Sequence, residues 1–311
     1  MRVGIVGAGL AGLSCGARLA AAGHAVELFD KGRGPGGRLS TRRAETPLGE
    51  ARFDHGAQYL TARDPDFARQ VAVWARDGLV ARWPATGDEA WVGVPGMNAP
   101  ARALAETLAV RSSARVAALR REAEGWRLAG EDFEAGPFEA VVVALPAEQA
   151  GPLVATFAPD LARAAAATPA APCWTVMAVF PERLPIAADV VKREGIVGWA
   201  ARNSAKPGRG GPESWVVQAG PDWSHSHLEA APEAVAAALL AGLAAVAGPG
   251  AVPAAWSAAH RWRYARSGAL GRDFLWDSAL GLGLCGDWLL GPRVECAWLS
   301  GHRLAGLMAA G

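Results

Sequence analysis

Lysine is almost missing from this chain. Of 31 basic residues only Lys31, Lys192 and Lys206 are lysines, and the rest are arginines. In a sequence so rich in Ala and Gly this reads first as compositional bias, but it leaves few candidates for chemistry that needs an amine. Net charge is near zero (+1 by formal count), and no basic stripe points to a nucleic-acid partner. No uninterrupted apolar run reaches the ~18 residues of a membrane span, so no transmembrane helix is predicted. Cysteine is scarce too: Cys15, Cys173, Cys285 and Cys296 form no Cys-x-x-Cys, which argues against a dithiol centre or a zinc knuckle. Unpaired thiols fit a reducing cytoplasm. There is no internal repeat, and no second glycine-rich turn of the kind a two-nucleotide reductase needs.

What is present is concentrated in the first 38 residues. The apolar run Val3-Gly4-Ile5-Val6 leads into Gly7-Ala8-Gly9-Leu10-Ala11-Gly12, a Gly-x-Gly-x-x-Gly turn. A helical pattern follows through Leu13, Ala17 and Leu19, then a second apolar run, Ala25 to Phe29, ending at Asp30. Strand, glycine turn, helix, strand and acid in this order predict the first half of a dinucleotide-binding fold. Gly7 permits the tight turn, Gly9 lets the backbone approach a pyrophosphate, and Gly12 lets the helix pack close to the strand. Leu10 and Ala11 open that helix, whose free N–H groups favour phosphate. Asp30, 18 residues after Gly12, sits where an acid accepts hydrogen bonds from ribose hydroxyls, with Lys31 beside it.

Further along, Asp64-Pro65 predicts a helix start, and 79–94 reads as a hairpin. Another helix runs to about residue 108. Arg115–Arg121, Gly125–Ala129 and Phe138–Leu145 read as strands, the last a buried parallel one. Strands are also predicted over 173–180, 196–201, 214–219 and 255–264, forming one mixed sheet. An acidic-start amphipathic helix covers 230–247, and Val294 to Ala310 is the last helix. Leu282 to Asp287 returns to the first unit. The predicted fold class is α/β: a Rossmann-type cofactor domain (1–62, 95–152 and 276–311) with an inserted substrate domain (63–94 and 153–275) built on a mixed β-sheet flanked by helices.

Asp30 followed by Gly36-Gly37-Arg38 resembles the acid-then-Gly-Gly-Arg pattern of the glutathione-reductase-type flavoproteins, the amine-oxidase branch in particular. Gly286-Asp287 and the helix from Val294-Glu295-Cys296-Ala297 resemble that branch's ending, where a Gly-Asp meets FAD. Within the branch the chain is most similar to renalase and the bacterial renalase-like proteins, through Asp30-Lys31, Gly36-Gly37-Arg38, Gly56-Ala57-Gln58-Tyr59-Leu60-Thr61, Pro95-Gly96-Met97-Asn98 and Arg261-Trp262-Arg263. The resemblance is dense over the first 110 residues and thinner between 150 and 250. It implies non-covalent FAD, oxidation of dihydro-isomers of NAD(P)H, and O2 as acceptor with H2O2 as product. It places FAD against Ala11, Arg38, Gln58 and Tyr59, and also against Leu10, Lys31, Gly37, Val116, Leu145, Gly286, Asp287, Glu295 and Ala297. Tyr59, Asn203, Gln218 and Trp262 are expected to line the cavity above the flavin. Animal renalase has a His where this chain has Gln218, a departure that bears on the substrate.

Read from the residues alone, period-2 alternation puts His260, Trp262 and Tyr264 on one face of strand 255–264, with Arg261 and Arg263 on the other. The aromatic wall fits a stacked planar ring, or it is sheet core. His55 and His260 are either general bases or buried structural residues, while His225 and His227 read as solvated. Arg38 offers a planar donor fork to a pyrophosphate. Arg42, Arg43, Arg202 and Arg209 read as surface charge, and Glu295 also reads as a match to its helix dipole. The leading expectation is an oxidase of dihydropyridine nucleotides, which needs orientation and stacking and no strong base. The alternatives are a flavin-containing amine oxidase, whose usual strand lysine has no counterpart here if Lys192 and Lys206 lie in loops, and a non-catalytic FAD-binding protein.

Overall fold

The computed structural model describes residues 1–310. β1 (Arg2–Val6), α1 (Leu10–Ala21) and β2 (Ala25–Phe29) form the predicted opening unit. A ribbon of β3 (Thr41–Thr46) and β4 (Gly49–Asp54) follows, then α2 (Pro65–Arg76), N-capped by Asp64, and the hairpin β5 (Val80–Arg82) and β6 (Trp91–Gly93). Next come α3 (Ala99–Glu106), β7 (Ala109–Arg111) and a three-stranded meander of β8 (Ala118–Glu122), β9 (Gly125–Ala129) and β10 (Glu134–Phe138). β11 (Ala140–Val143), α4 (Ala147–Val154) and α5 (Pro159–Ala166) lead to β12 (Ala171–Phe180), β13 (Val190–Glu194), β14 (Val197–Arg202) and β15 (Glu213–Ala219). α6 (Pro221–Ser226), α7 (Pro232–Ala247) and β16 (Trp256–Arg266) complete that part. The chain closes with β17 (Leu275–Asp277), β18 (Leu282–Leu284), α8 (Asp287–Leu290) and α9 (Val294–Ala310).

Two sheets organise the molecule. The first has six strands in the order β17-β18-β11-β1-β2-β7, parallel except for β17. Alternate residues of its central strands face opposite layers: Val3, Ile5 and Val142 pack toward α1 and α9, while Val6, Val141 and Val143 pack toward the meander and α4. β1 lies where the strand order reverses, the position at which open α/β sheets bind ligands beyond their carboxyl ends. The second sheet has five strands in the order β13-β14-β15-β12-β16. All four of its ladders are antiparallel, where a mixed sheet is expected; one, β13–β14, is a tight hairpin, and the others pair strands brought together by longer connections.

Alternation in β12 settles what the second sheet faces. Trp174, Val176, Ala178 and Phe180 point to α7, whose buried residues Val235, Leu239, Leu243 and Ala247 recur every fourth position. Met177 and Val179 point the other way, onto Ala51 and Phe53 of the β3–β4 ribbon. The ribbon therefore covers this face of the second sheet. Lys192 sits on strand β13, correcting its expected place in a loop, and His225 sits in α6, not in a turn. No helix among the described residues is long and apolar enough to cross a membrane.

Candidate active site

The nucleotide end is built by glycines whose geometry leaves no alternative. Gly7 has φ +107°, and a Cβ on Gly12 would lie 2.0 Å from the Gly7 carbonyl oxygen. Gly9 differs: a Cβ there would meet nothing within 4 Å, so its α-carbon faces open space at the N-terminus of α1. Asp30 binds the turn together, Oδ2 accepting from the Ala8 amide and Oδ1 from the Gly32 amide, each at 2.6 Å. Gly36 donates to the Ala8 carbonyl at 2.9 Å. The two Asp30 oxygens each take one amide, which leaves lone pairs for ribose hydroxyls. Open space at Gly9, free helix amides and a part-spent acid fit a dinucleotide. Lys31 is exposed, 3.4 Å from Gln149 Oε1. Val116 and Leu145 pack in and against the core on the meander side of the sheet.

The two distant glycine motifs meet through one ion pair. Arg38 donates to Asp287 through both Nη atoms, at 2.9 and 2.6 Å, and Ser267 Oγ donates to the same carboxylate at 3.0 Å. Arg38 also reaches the carbonyls of Tyr264 and Ala265 at 3.4 and 3.3 Å. By the sequence reading this fork is offered to a pyrophosphate; here both Nη atoms are engaged by the buried Asp287, which needs a cation. Glu295 is likewise occupied. It is buried in the first turn of α9, where Oε1 accepts from the amides of Arg63 and Asp64 at 2.6 and 2.7 Å. Ala297 packs between two core clusters one turn from Gly301, whose missing Cβ lets α9 cross α1 against Ala11.

Three of the four residues expected to line the substrate cavity converge on the backbone of β4 and its exit. Asn203 donates through Nδ2 to the Arg52 carbonyl at 2.6 Å and accepts at Oδ1 from the Asp54 amide at 3.3 Å. Gln218 Nε2 donates to the Gly56 carbonyl at 2.9 Å, and Trp262 Nε1 to the His55 carbonyl at 2.8 Å. Asn203 is buried with both amide ends on the backbone of β4, so it positions that strand, a role the sequence reading does not include. Gln58, expected against FAD, is buried with its Nε2 on the carbonyls of Asp54 and Gly56 and its Oε1 accepting from Lys206. Tyr59 stacks on Trp199 at 5.6 Å.

Arg202 and Arg209 are buried, not surface charges. Arg202 pairs with Asp189 at 2.8 Å and with Glu213, while Arg209 and Lys206 both bind Asp54 Oδ2, at 2.6 and 3.2 Å. Burial pushes the Asp54 carboxyl up, but Lys206 and Arg209 outweigh it and hold it below the usual carboxylate value.

Register across the second sheet assembles a row that the sequence does not show. Lys192 pairs with Trp199, Trp199 with Gln218, Gln218 with Thr175, and Thr175 with His260. Directly paired residues share a face, and this one faces the ribbon. Three buried polar atoms here have no hydrogen-bond partner among the described residues: Trp199 Nε1, Thr175 Oγ1 and His55 Nδ1. Unsatisfied buried groups mark a place where a ligand or water belongs. His55 lies edge-on to His260 at 4.9 Å and stacks on Trp262 at 5.1 Å. Burial, helped by His260, lowers the His55 pKa to about 4, and burial with Arg42 lowers that of His260. Both are poor bases at neutral pH.

The His55 shift has a stability consequence. The unfolded chain takes up a proton near 6.5 and the folded chain only near 4, so stability falls as pH drops through that window. His55→Phe, which keeps the stack on Trp262, is expected to show a smaller acid-induced loss than wild type in denaturant titrations. An equal loss would assign the acid sensitivity to other groups.

Fold, cradle and row define an FAD-dependent oxidoreductase. A family model described as flavin containing amine oxidoreductase matches residues 79–309, and one described as an NAD(P)-binding Rossmann-like domain matches 5–73. The chain belongs to the flavin-containing amine oxidoreductase family. Its fold is similar to that of a protein of Exiguobacterium sp. 255-15 assigned as a protoporphyrinogen oxidase, with a TM-score of 0.78 and 12% identity over 99% of this chain and 98% of the other. It is also similar to the cyclohexylamine oxidase of Brevibacterium oxydans IH-35A (TM-score 0.73, 13% identity, 99% and 98% covered). A putrescine oxidase with putrescine bound gives a TM-score of 0.70 at 14% identity, with both chains covered in full.

Proposed function

We propose that the chain is an FAD-dependent oxidase that removes hydride from a carbon next to nitrogen in a small substrate, with an amine as the leading substrate class. The row Trp199–Gln218–Thr175–His260, lying against the segment that carries Tyr59, is the observation that carries this reading. Membership of the amine oxidoreductase family supports the amine, and so do neighbours named as cyclohexylamine and putrescine oxidases. The reading uses 1–62, 95–152 and 276–311 as the cofactor unit and 63–94 and 153–275 as the substrate unit.

FAD, when bound, supplies a two-electron acceptor that passes its electrons on to O2. Gly7, Gly9, Gly12, Asp30 and the amides of α1 would hold its nucleotide end. The chain's own residues bind and orient the donor. Tyr59 and Trp199 present flat faces, and Gln218 and Thr175 present neutral hydrogen-bonding groups. The row from Trp199 to His260 contains no carboxylate; it ends in the half-buried His260 imidazole, and the buried His55 imidazole adjoins it. An ammonium would enter without a counter-ion, so the site favours an amine in its neutral form, whose lone pair stabilises the carbon as hydride leaves. The rate of flavin reduction should therefore rise with pH as the free amine is deprotonated.

A second reading is the renalase-type oxidation of a dihydropyridine nucleotide. The stacked Tyr59–Trp199 pair and the amide of Gln218 favour it, since they suit a neutral planar ring bearing a carboxamide. Turnover in air with H2O2 detection separates the two. Peroxide from primary amines, with none from 2- or 6-dihydro-NAD(P), supports the amine. The reverse pattern hands the site to the nucleotide.

Trp262→Ala tests the placement of the site. It removes the donor to the His55 carbonyl and the ring stacked on His55. FAD content should stay complete while the reductive rate falls about tenfold or more, roughly 1.4 kcal/mol of transition-state stabilisation. An unchanged rate would make this strand merely core.

A further inference from the structure

We infer that Lys206 is a positioning residue for the oxidase reaction: from the substrate side it fixes the Gln58 amide, and with it the segment 56–59 that presents Tyr59. The inference rests on the function proposed above. Lys206 Nζ donates to Gln58 Oε1 at 3.1 Å and to Asp54 Oδ2 at 3.2 Å, over the ring of Trp83 at 5.2 Å. With its oxygen held there, the Gln58 amide directs Nε2 onto the carbonyls of Asp54 and Gly56. The Gly56 carbonyl takes Gln218 as well, and the next amide, that of Ala57, donates to the Arg38 carbonyl at 2.9 Å. A Cβ on Gly56 would lie 2.0 Å from that same carbonyl oxygen, so the segment has no room to shift. One ammonium thus sets a side-chain orientation that ties a substrate-side loop to the backbone immediately before Tyr59.

Charge separates this role from simple packing. The charged groups facing Lys206 are Asp54 of β4 and Arg209 of its own loop. Arg209 already contacts Asp54 Oδ2 twice, through Nε at 3.2 Å and Nη2 at 2.6 Å. Two cations on one carboxylate leave the cluster with one excess positive charge, so folding does not need the amine, whose burial is itself unfavourable. That burial, opposed by Asp54 and reinforced by Arg209, pushes the lysine down to about 8. The clamp is fully charged below that pH and loses its charge above it.

The test uses the FAD-loaded protein. The visible flavin spectrum of wild type should show a one-proton transition near pH 8. Lys206→Met should abolish the transition and slow flavin reduction about tenfold, with FAD content and melting temperature maintained or raised. Lys206→Arg, which stays charged at every working pH, should also lack the transition and recover most of the rate. This variant judges the idea should the Met variant fold poorly. A transition that persists in either variant, or wild-type reduction in Lys206→Met, overturns the inference. Wild type that no nitrogen-bearing donor reduces defeats the proposed function instead, while the spectral transition still decides the role of Lys206.

Discussion

Gly9→Val yields a folded protein that holds no FAD. The expectation follows from two properties of one residue. Gly9 has φ −71°, so a side chain there strains no backbone, and a Cβ meets no protein atom within 4 Å. The valine therefore costs the apoprotein little, yet it occupies the space in front of the α1 N–H groups where a pyrophosphate must approach. The contrast with Gly12 is sharp, since a Cβ there collides with the Gly7 carbonyl oxygen at 2.0 Å and any side chain disturbs the fold itself. Absorbance of the purified variant, with circular dichroism for folding, checks the claim. Stoichiometric FAD in a folded Gly9→Val protein would remove the nucleotide from this turn. Released after acid precipitation of wild type, the flavin should appear in the supernatant as FAD, because Cys285 and Cys296 are buried thiols held in their neutral, unreactive form.

Asp54→Ala should destabilise the protein more than any single loss among the surface ion pairs. Asp54 is wholly buried and carries Lys206, Arg209, the Thr41 hydroxyl at 2.8 Å and the Met97 amide at 2.9 Å. Truncation leaves two buried cations without an anion and strands both donors. Breaking a buried pair in this way costs about 3–5 kcal/mol, against at most about 1 kcal/mol for an exposed pair such as Arg69–Asp66. Denaturant titration of the two variants, Asp54→Ala and Asp66→Ala, reads the difference. Equal midpoints would show that water or relaxation satisfies the Asp54 cluster.

The cofactor end of the molecule is legible in the sequence because its constraints are local. A turn that needs positive φ, a close helix–strand approach and an acid at the end of the second strand each leave a residue type at a fixed spacing. The alternation of β16 is equally local, and it places His260 and Trp262 on the ribbon side and Arg261 and Arg263 on Glu229, as the pattern predicts. The substrate side is not legible in the same way, because it depends on lateral register. Trp199, Gln218, Thr175 and His260 are far apart in sequence and adjacent only through the order β14-β15-β12-β16. A faint signal exists for Thr175, a hydroxyl within the otherwise apolar run from Cys173 to Phe180. Buried charge is the least visible of all: Arg202, Lys206 and Arg209 look like surface residues until the fold brings Asp189, Glu213 and Asp54 to them. Asn203, Gln218 and Trp262, read from the resemblance as lining a cavity with Tyr59, instead share the backbone of 52–56 as their hydrogen-bond partner, a link that no local pattern shows.

The most direct measurement is anaerobic stopped-flow mixing of the FAD-loaded protein with primary amines and, separately, with 2- and 6-dihydro-NAD(P), following the flavin absorbance. The account predicts rapid, saturable bleaching by one of these nitrogen-bearing donors, with recovery of the colour and release of H2O2 when O2 is admitted. FAD-loaded protein that keeps its full absorbance with every donor of both classes would contradict it and leave a flavin-binding protein without oxidase activity.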